Sequence, residues 1–196
     1  MSRSVSRATL FSLVGVGFLL HWIRQESGWR PRLPSSEPEV VVAFTALLLA
    51  HGLALWQFGA IVPDRRVRRA ASALGVAAAV CAVANVLEDG YGVESAFFLF
   101  IAATLVLLLG QFLLAVVVLR TTGSWLLAST PGLSGLALAL YPPLGGPLML
   151  CAWGLAAVSV CRRTAPPGPR PSPSPTKSGT RSWAVENAAR TTPAHR

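Results

Sequence analysis

Three titratable residues near the ends of apolar segments could carry out acid–base chemistry. Glu88 and Asp89 follow Asn85 by three and four residues, a spacing that places all three on one face of a helix. His21 lies at the end of another apolar segment, at a similar level. A histidine with two carboxylates can bind a divalent metal or supply a general acid and a general base. The simpler interpretation, which is favoured, is that Glu88 and Asp89 end a helix in water. His21, Glu88 and Asp89 are therefore catalytic candidates only, and the sequence predicts no cofactor and no metal.

A second set of polar residues falls inside apolar segments and could line a cavity: His51, Gln57, Asn85 and Gln111. Polar side chains in hydrocarbon are costly, so they are functional candidates by default. A cavity of this kind would suit a small transporter or a lipid-handling protein. The alternative is that His51 hydrogen-bonds a neighbouring helix and only holds the structure together, which is favoured. No Asp, Glu, Lys or Arg lies within the predicted spans, which disfavours an ion-coupled carrier.

The distribution of charge shows which elements must position these residues. Only 13% of the 196 residues are charged, against about 25% in a typical soluble domain. No charge occurs between Arg69 and Glu88, or between Glu94 and Arg120. A soluble surface cannot be built from uncharged stretches of that length, whereas a lipid bilayer requires them. The chain is predicted to be an integral membrane protein.

The apolar segments predict an all-α fold, a polytopic bundle of six membrane helices at about 8–23, 40–62, 70–87, 96–119, 125–141 and 144–161. Pro131 and Gly132 predict that the fifth span is kinked or partly re-entrant. The first span could instead be a signal peptide, although no Ala-x-Ala cleavage pattern follows it. Residues 162–196 are rich in Pro, Ser and Arg and are predicted to form a disordered tail.

Small residues recur on single faces of two predicted helices. In the second predicted helix a small residue recurs every seven positions, at Thr45, Gly52 and Gly59. In the third predicted helix one recurs every four positions, at Ala71, Gly75 and Ala79. Small residues let helix backbones approach closely in lipid, where no hydrophobic effect drives helices together. These faces predict close helix packing, and they could also bind a protein partner or a second copy of the chain.

Basic residues predict the orientation of the bundle. Of the 17 Lys and Arg residues, only Arg24, Arg30 and Arg32 fall on one side of the predicted six-span topology. All acidic residues except Asp64 and Glu186 fall on that same side. The positive-inside rule places the other side, with both termini, in the cytosol. Cleavage of the first span would leave this orientation unchanged. The predicted location is the plasma membrane, and the arginine- and alanine-rich composition suggests a bacterial source.

Four arginines form the densest basic cluster: Arg65, Arg66, Arg68 and Arg69. Beside a membrane they would contact anionic lipid headgroups, at about 1 kcal/mol per basic residue. The net charge of +9 does not indicate nucleic-acid binding, because the basic residues sit in short clusters beside apolar segments.

No catalytic or nucleotide-binding motif accompanies these elements. The sequence lacks a Gly-rich phosphate loop, a Gly-x-Ser-x-Gly elbow and a His-Glu-x-x-His helix. Cys81, Cys151 and Cys161 form no Cys-x-x-Cys pair and are predicted to be small buried hydrophobes. The expected function is that of a non-enzymatic membrane component acting through helix–helix or tail contacts. A transporter or lipid-handling protein and an enzyme at the outer face are the alternatives.

Overall fold

A computed structural model describes residues 3–26, 38–140 and 144–164 of the chain. These residues form six α-helices and one π-helical turn: α1 (Arg3–Glu26), α2 (Pro38–Ile61), α3 (Arg65–Asn85), the π turn (Val86–Gly90), α4 (Glu94–Thr122), α5 (Trp125–Ala139) and α6 (Gly145–Thr164). The described residues contain no β-strand, which confirms the all-α prediction. The first three residues of the predicted tail, 162–164, are instead the last residues of α6, and the rest of the tail lies outside the described residues.

Five of the described helical segments are long and apolar enough to cross a membrane: α1, α2, α3 with the π turn, α4 and α6. The fifth helix, α5, has 15 residues. At 1.5 Å per residue it is about 22 Å long, shorter than the roughly 30 Å of bilayer hydrocarbon. It nevertheless continues through Pro131, which lies inside the helix.

The helices pack as a closed ring. Each helix packs on its neighbours in sequence, and α6 returns to pack on α1. The contact between α1 and α2 is the least extensive of these, whereas α1 packs extensively on α6. Large side chains fill the interior, and the most deeply buried include Phe11, Phe18, Leu55, Phe58, Leu107, Leu114 and Trp153. Successive helices from α2 to α5 run antiparallel, since residues late in one helix contact residues early in the next, as Gly59 and Ala71 do. The last turn of α6 lies beside the end of α2, where Arg163 contacts Ile61.

The third helix begins earlier than the predicted boundary at residue 70. Asp64 caps it, because its carboxylate accepts hydrogen bonds from the backbone N–H groups of Arg66 at 2.6 Å and Val67 at 3.3 Å. An aspartate at this position satisfies donors that have no partner inside the helix. The basic cluster therefore lies on the first two turns of α3. Its four arginines are exposed, while Val67 among them is fully buried.

The sixth helix begins at Gly145, next to the predicted start of the sixth span at residue 144. Gly145, Gly146 and Pro147 form its first turn. Proline is tolerated there because the first N–H groups of a helix have no partner within it. Residues 141–143 lie outside the described residues.

Candidate functional site

Close backbone contact between α2 and α3 sets the position of the central side chains. A Cβ atom on Gly52 would lie 2.8 Å from the backbone oxygen of Gly75, and one on Gly75 would lie 2.9 Å from that of Gly52. At Gly59 a Cβ would lie 2.8 Å from that of Ala71. The two small-residue faces thus cover each other within one chain. Binding of a partner or a second copy through small-residue faces stays a prediction.

A buried polar cluster lies halfway along the bundle, and we call it the central cluster: His51, Gln111 and Ser134. The Nε2 atoms of Gln111 and His51 are 3.1 Å apart. The Ser134 hydroxyl donates to Oε1 of Gln111. Because Oε1 is the acceptor from Ser134, the Gln111 amide nitrogen faces His51 and donates to its Nε2. The histidine proton then resides on Nδ1. The three residues join α2, α4 and α5.

Aromatic rings from two further helices enclose the central cluster. The His51 ring meets Phe18 of α1 edge-on at 5.8 Å between centroids, and Trp153 of α6 at 5.4 Å. Phe11 stacks on the other side of Trp153 at 5.3 Å. All of these rings are at most 2% exposed. Side chains from five of the six helices therefore meet at one level.

Three buried polar atoms at or near this level hydrogen-bond to no described residue: His51 Nδ1, Trp153 Nε1 and Thr130 Oγ1. Thr130 lies one helical turn before Ser134 on α5. A buried polar group without a partner costs about 1–3 kcal/mol.

The predicted cavity residues separate into three places rather than one. His51 and Gln111 meet in the central cluster. Gln57 lies toward the basic end, where its Oε1 accepts from Nε of Arg7 at 3.0 Å. Asn85 lies toward the opposite end, where its Nδ2 donates to the hydroxyl of Thr45 at 3.1 Å. Each of these hydrogen bonds joins two helices.

The catalytic candidates also occupy different surroundings. His21 is buried, stacks on Phe44 at 5.4 Å and lies 3.1 Å from the Gln25 amide nitrogen. Glu88 and Asp89 lie on the π turn, Glu88 half-buried and Asp89 exposed. Both come after the end of α3, whose last residue, Asn85, is buried. A shared site of Asn85, Glu88 and Asp89 stays a prediction. No group of three or more His, Cys, Asp and Glu side chains within the described ranges could hold a metal ion.

Comparison of the chain with known protein families, with curated proteins and with solved structures gives no match. Functional inference therefore depends on the geometry of the bundle itself.

Sequence reasoning did not identify Ser134, Thr130 or Trp153 as members of the polar centre. Thr130 and Ser134 are four residues apart and flank Pro131, so they share one face of α5. That spacing was visible in the sequence. The pairing of Ser134 with Gln111 was not, because it depends on how α4 and α5 align along their axes.

Proposed function

We propose that the chain is a multi-pass integral membrane protein with its basic end in the cytosol, and that it acts as a non-enzymatic membrane component. The observation that supports this role most directly is the use made of the polar residues inside the helices. His51, Gln57, Asn85 and Gln111 each hydrogen-bond a side chain of another helix. Their polar groups serve to connect helices, which is the ordinary use of polar side chains in a membrane bundle.

Large apolar side chains on the outer surface support membrane insertion. On α4, Phe98 is 75% exposed and Leu113 is 67% exposed. Such a surface is unfavourable in water over 29 residues of helix, and it suits contact with lipid tails. Exposed Trp56 and Trp125 lie toward the basic end, and exposed Tyr91 lies toward the other. Aromatic rings at these two levels fit the two interfaces of a bilayer.

The proposed orientation follows from the charged residues at the two ends. The basic cluster and Arg120, Arg162 and Arg163 lie at the end where α2, α4 and α6 finish. At this end Nη1 of Arg163 donates to the backbone oxygen of Ile61 at 2.6 Å. The four exposed arginines of the basic cluster would contact anionic lipid headgroups on the cytosolic side. Acidic Glu39, Glu88, Asp89 and Glu94 lie at the opposite end.

The orientation can be tested by labelling single cysteines in intact cells. In a variant lacking Cys81, Cys151 and Cys161, we expect Tyr91→Cys to react with a membrane-impermeant maleimide. Trp125→Cys, equally exposed at 74% against 76%, should react only after the cells are permeabilised. The two cysteines are matched in exposure and lie at opposite ends of the bundle. Labelling of Trp125→Cys alone in intact cells would overturn the orientation, and recovery of the full chain in the soluble fraction without detergent would overturn insertion.

The non-enzymatic role predicts that phenotype follows protein abundance. We expect His21→Ala, Glu88→Ala and Asp89→Ala each to restore whatever trait is lost on deletion of the gene, at normal protein levels. Asn85→Ala removes the hydrogen bond to Thr45 and should lower abundance and complementation together. Quantitative immunoblotting beside the complementation assay separates the two effects. Loss of complementation by Glu88→Ala or Asp89→Ala at normal abundance would instead favour an enzyme at the outer face.

A further inference from the structure

Two N–H groups in the centre of the bundle point to a bound acceptor. Nε2 of His51 receives the amide proton of Gln111, so the neutral ring carries its own proton on Nδ1. Nε1 of Trp153 can only donate. Both nitrogens are buried, and no described residue accepts a hydrogen bond from either. Two donors cannot satisfy each other.

The two donors belong to rings that are in contact. The His51 and Trp153 rings lie 5.4 Å apart between centroids with an interplanar angle of 80°. Phe18 contacts the histidine and Phe11 stacks on the indole. Neither phenyl ring carries an oxygen acceptor.

We propose that one water molecule is bound inside the bundle, accepting hydrogen bonds from His51 Nδ1–H and Trp153 Nε1–H. Buried waters in proteins occupy places of this kind, where they satisfy buried polar groups that the chain leaves unpaired. The rings around the site are at most 2% exposed, so an acceptor bound there is enclosed by the bundle. With the water in place, a continuous series of hydrogen bonds links α5, α4, α2 and α6. This inference does not depend on the proposed function, because it concerns the interior of the bundle alone.

The test removes the indole N–H without removing volume. Exchange of Trp153 for 3-benzothienylalanine replaces Nε1–H by sulfur and preserves the two fused rings. The same exchange at exposed Trp125 is the matched control. If the N–H donates to water, the exchange at Trp153 should lower the Tm of the detergent-purified full chain by about 2–4 °C, and the control should leave it unchanged. If the N–H has no acceptor, removing it relieves a penalty, and the Tm will stay the same or rise. That result would overturn the proposal.

A second variant tests whether the two donors share one acceptor. His51→Gln keeps a polar group within reach of Gln111 and deletes the Nδ1 donor. With a shared water, combining it with the Trp153 exchange should lower the Tm by clearly less than the sum of the two separate shifts, because the water is lost only once. Additive shifts would overturn the bridge. A contact from the Trp153 N–H to the face of the His51 ring would also give less than additive shifts with His51→Gln, because that variant removes the ring. His51→Phe keeps a ring and lacks the Nδ1 donor, so in the same cycle a ring-face contact gives additive shifts and a shared water gives less than additive ones. Additive shifts with His51→Phe would overturn the water.

Discussion

Gly52→Ala should cause a large loss of stability, because it adds a methyl group where α2 and α3 are in backbone contact. The new Cβ would lie 2.8 Å from the backbone oxygen of Gly75 and 3.1 Å from the Cβ of Ala78. Neither a backbone oxygen nor a Cβ can rotate away, so α2 and α3 must separate. Overpacking of this kind costs about 1–3 kcal/mol, and more when the backbone must move. We expect a lower free energy of unfolding in SDS–detergent mixed micelles and a smaller folded fraction on gel filtration.

Gly154→Ala is the matched control for this prediction. Gly154 lies within α6, and a Cβ there would meet nothing within 4 Å. Alanine is the better helix former by about 1 kcal/mol, so the control should be neutral or slightly stabilising. Equal loss of stability in the two variants would contradict the close α2–α3 contact, because it would show that the loss does not depend on the space around the glycine.

Gln111→Leu should cause the second large effect, about 1–3 kcal/mol of lost stability, because it leaves His51 Nε2 buried without its donor. His51→Phe alone should also destabilise, since it leaves the Gln111 amide unpaired. It preserves a ring against Phe18 and Trp153. The double variant removes both partners, so it should be less destabilised than the sum of the single variants. A coupling of about 1 kcal/mol is expected, in the range measured for hydrogen bonds in membrane helices.

A remote pair provides the control for this cycle. Asn85→Leu breaks the separate hydrogen bond to Thr45, so combining it with Gln111→Leu should give additive losses. Strictly additive losses for His51→Phe and Gln111→Leu would mean that the two side chains do not interact in the folded protein. The central cluster would then have no role in holding α2 and α4 together.

The sequence predicted elements more accurately than their ends. Uncharged segments indicated helices, and each of the six predicted segments is helical over most of its length. The boundaries shifted where a local hydrogen bond or a chain constraint outweighed composition. Asp64 caps α3 and extends it back to Arg65, ahead of the predicted start at residue 70. The start of α6 at Gly145 lies next to the predicted one at residue 144, and its first turn includes Pro147 because that turn tolerates proline. The π turn at Val86–Gly90 had no signal in the periodicity.

Contacts between helices could also be predicted only in part. Regular spacing of small residues on α2 and α3 was visible in the sequence, and the two faces do pack on each other. That Gly52 faces Gly75, or that Asn85 reaches Thr45, could not be read from spacing. Spacing identifies the residues that share a face, and it leaves open how far one helix slides along the next. A slide of one turn would give each of these residues a different partner.

The amino-acid sequence by itself determined which segments avoid water, which faces of α2 and α3 are small, and at which end the arginines accumulate. These properties depend on the residue types along one segment, so no other part of the chain is needed to read them. Only the tertiary structure decided that His51 meets Gln111, that Gln57 binds Arg7, and that Trp153 lies against His51. Those partners depend on how the helices align along their axes, and the close packing of side chains throughout the interior fixes that alignment.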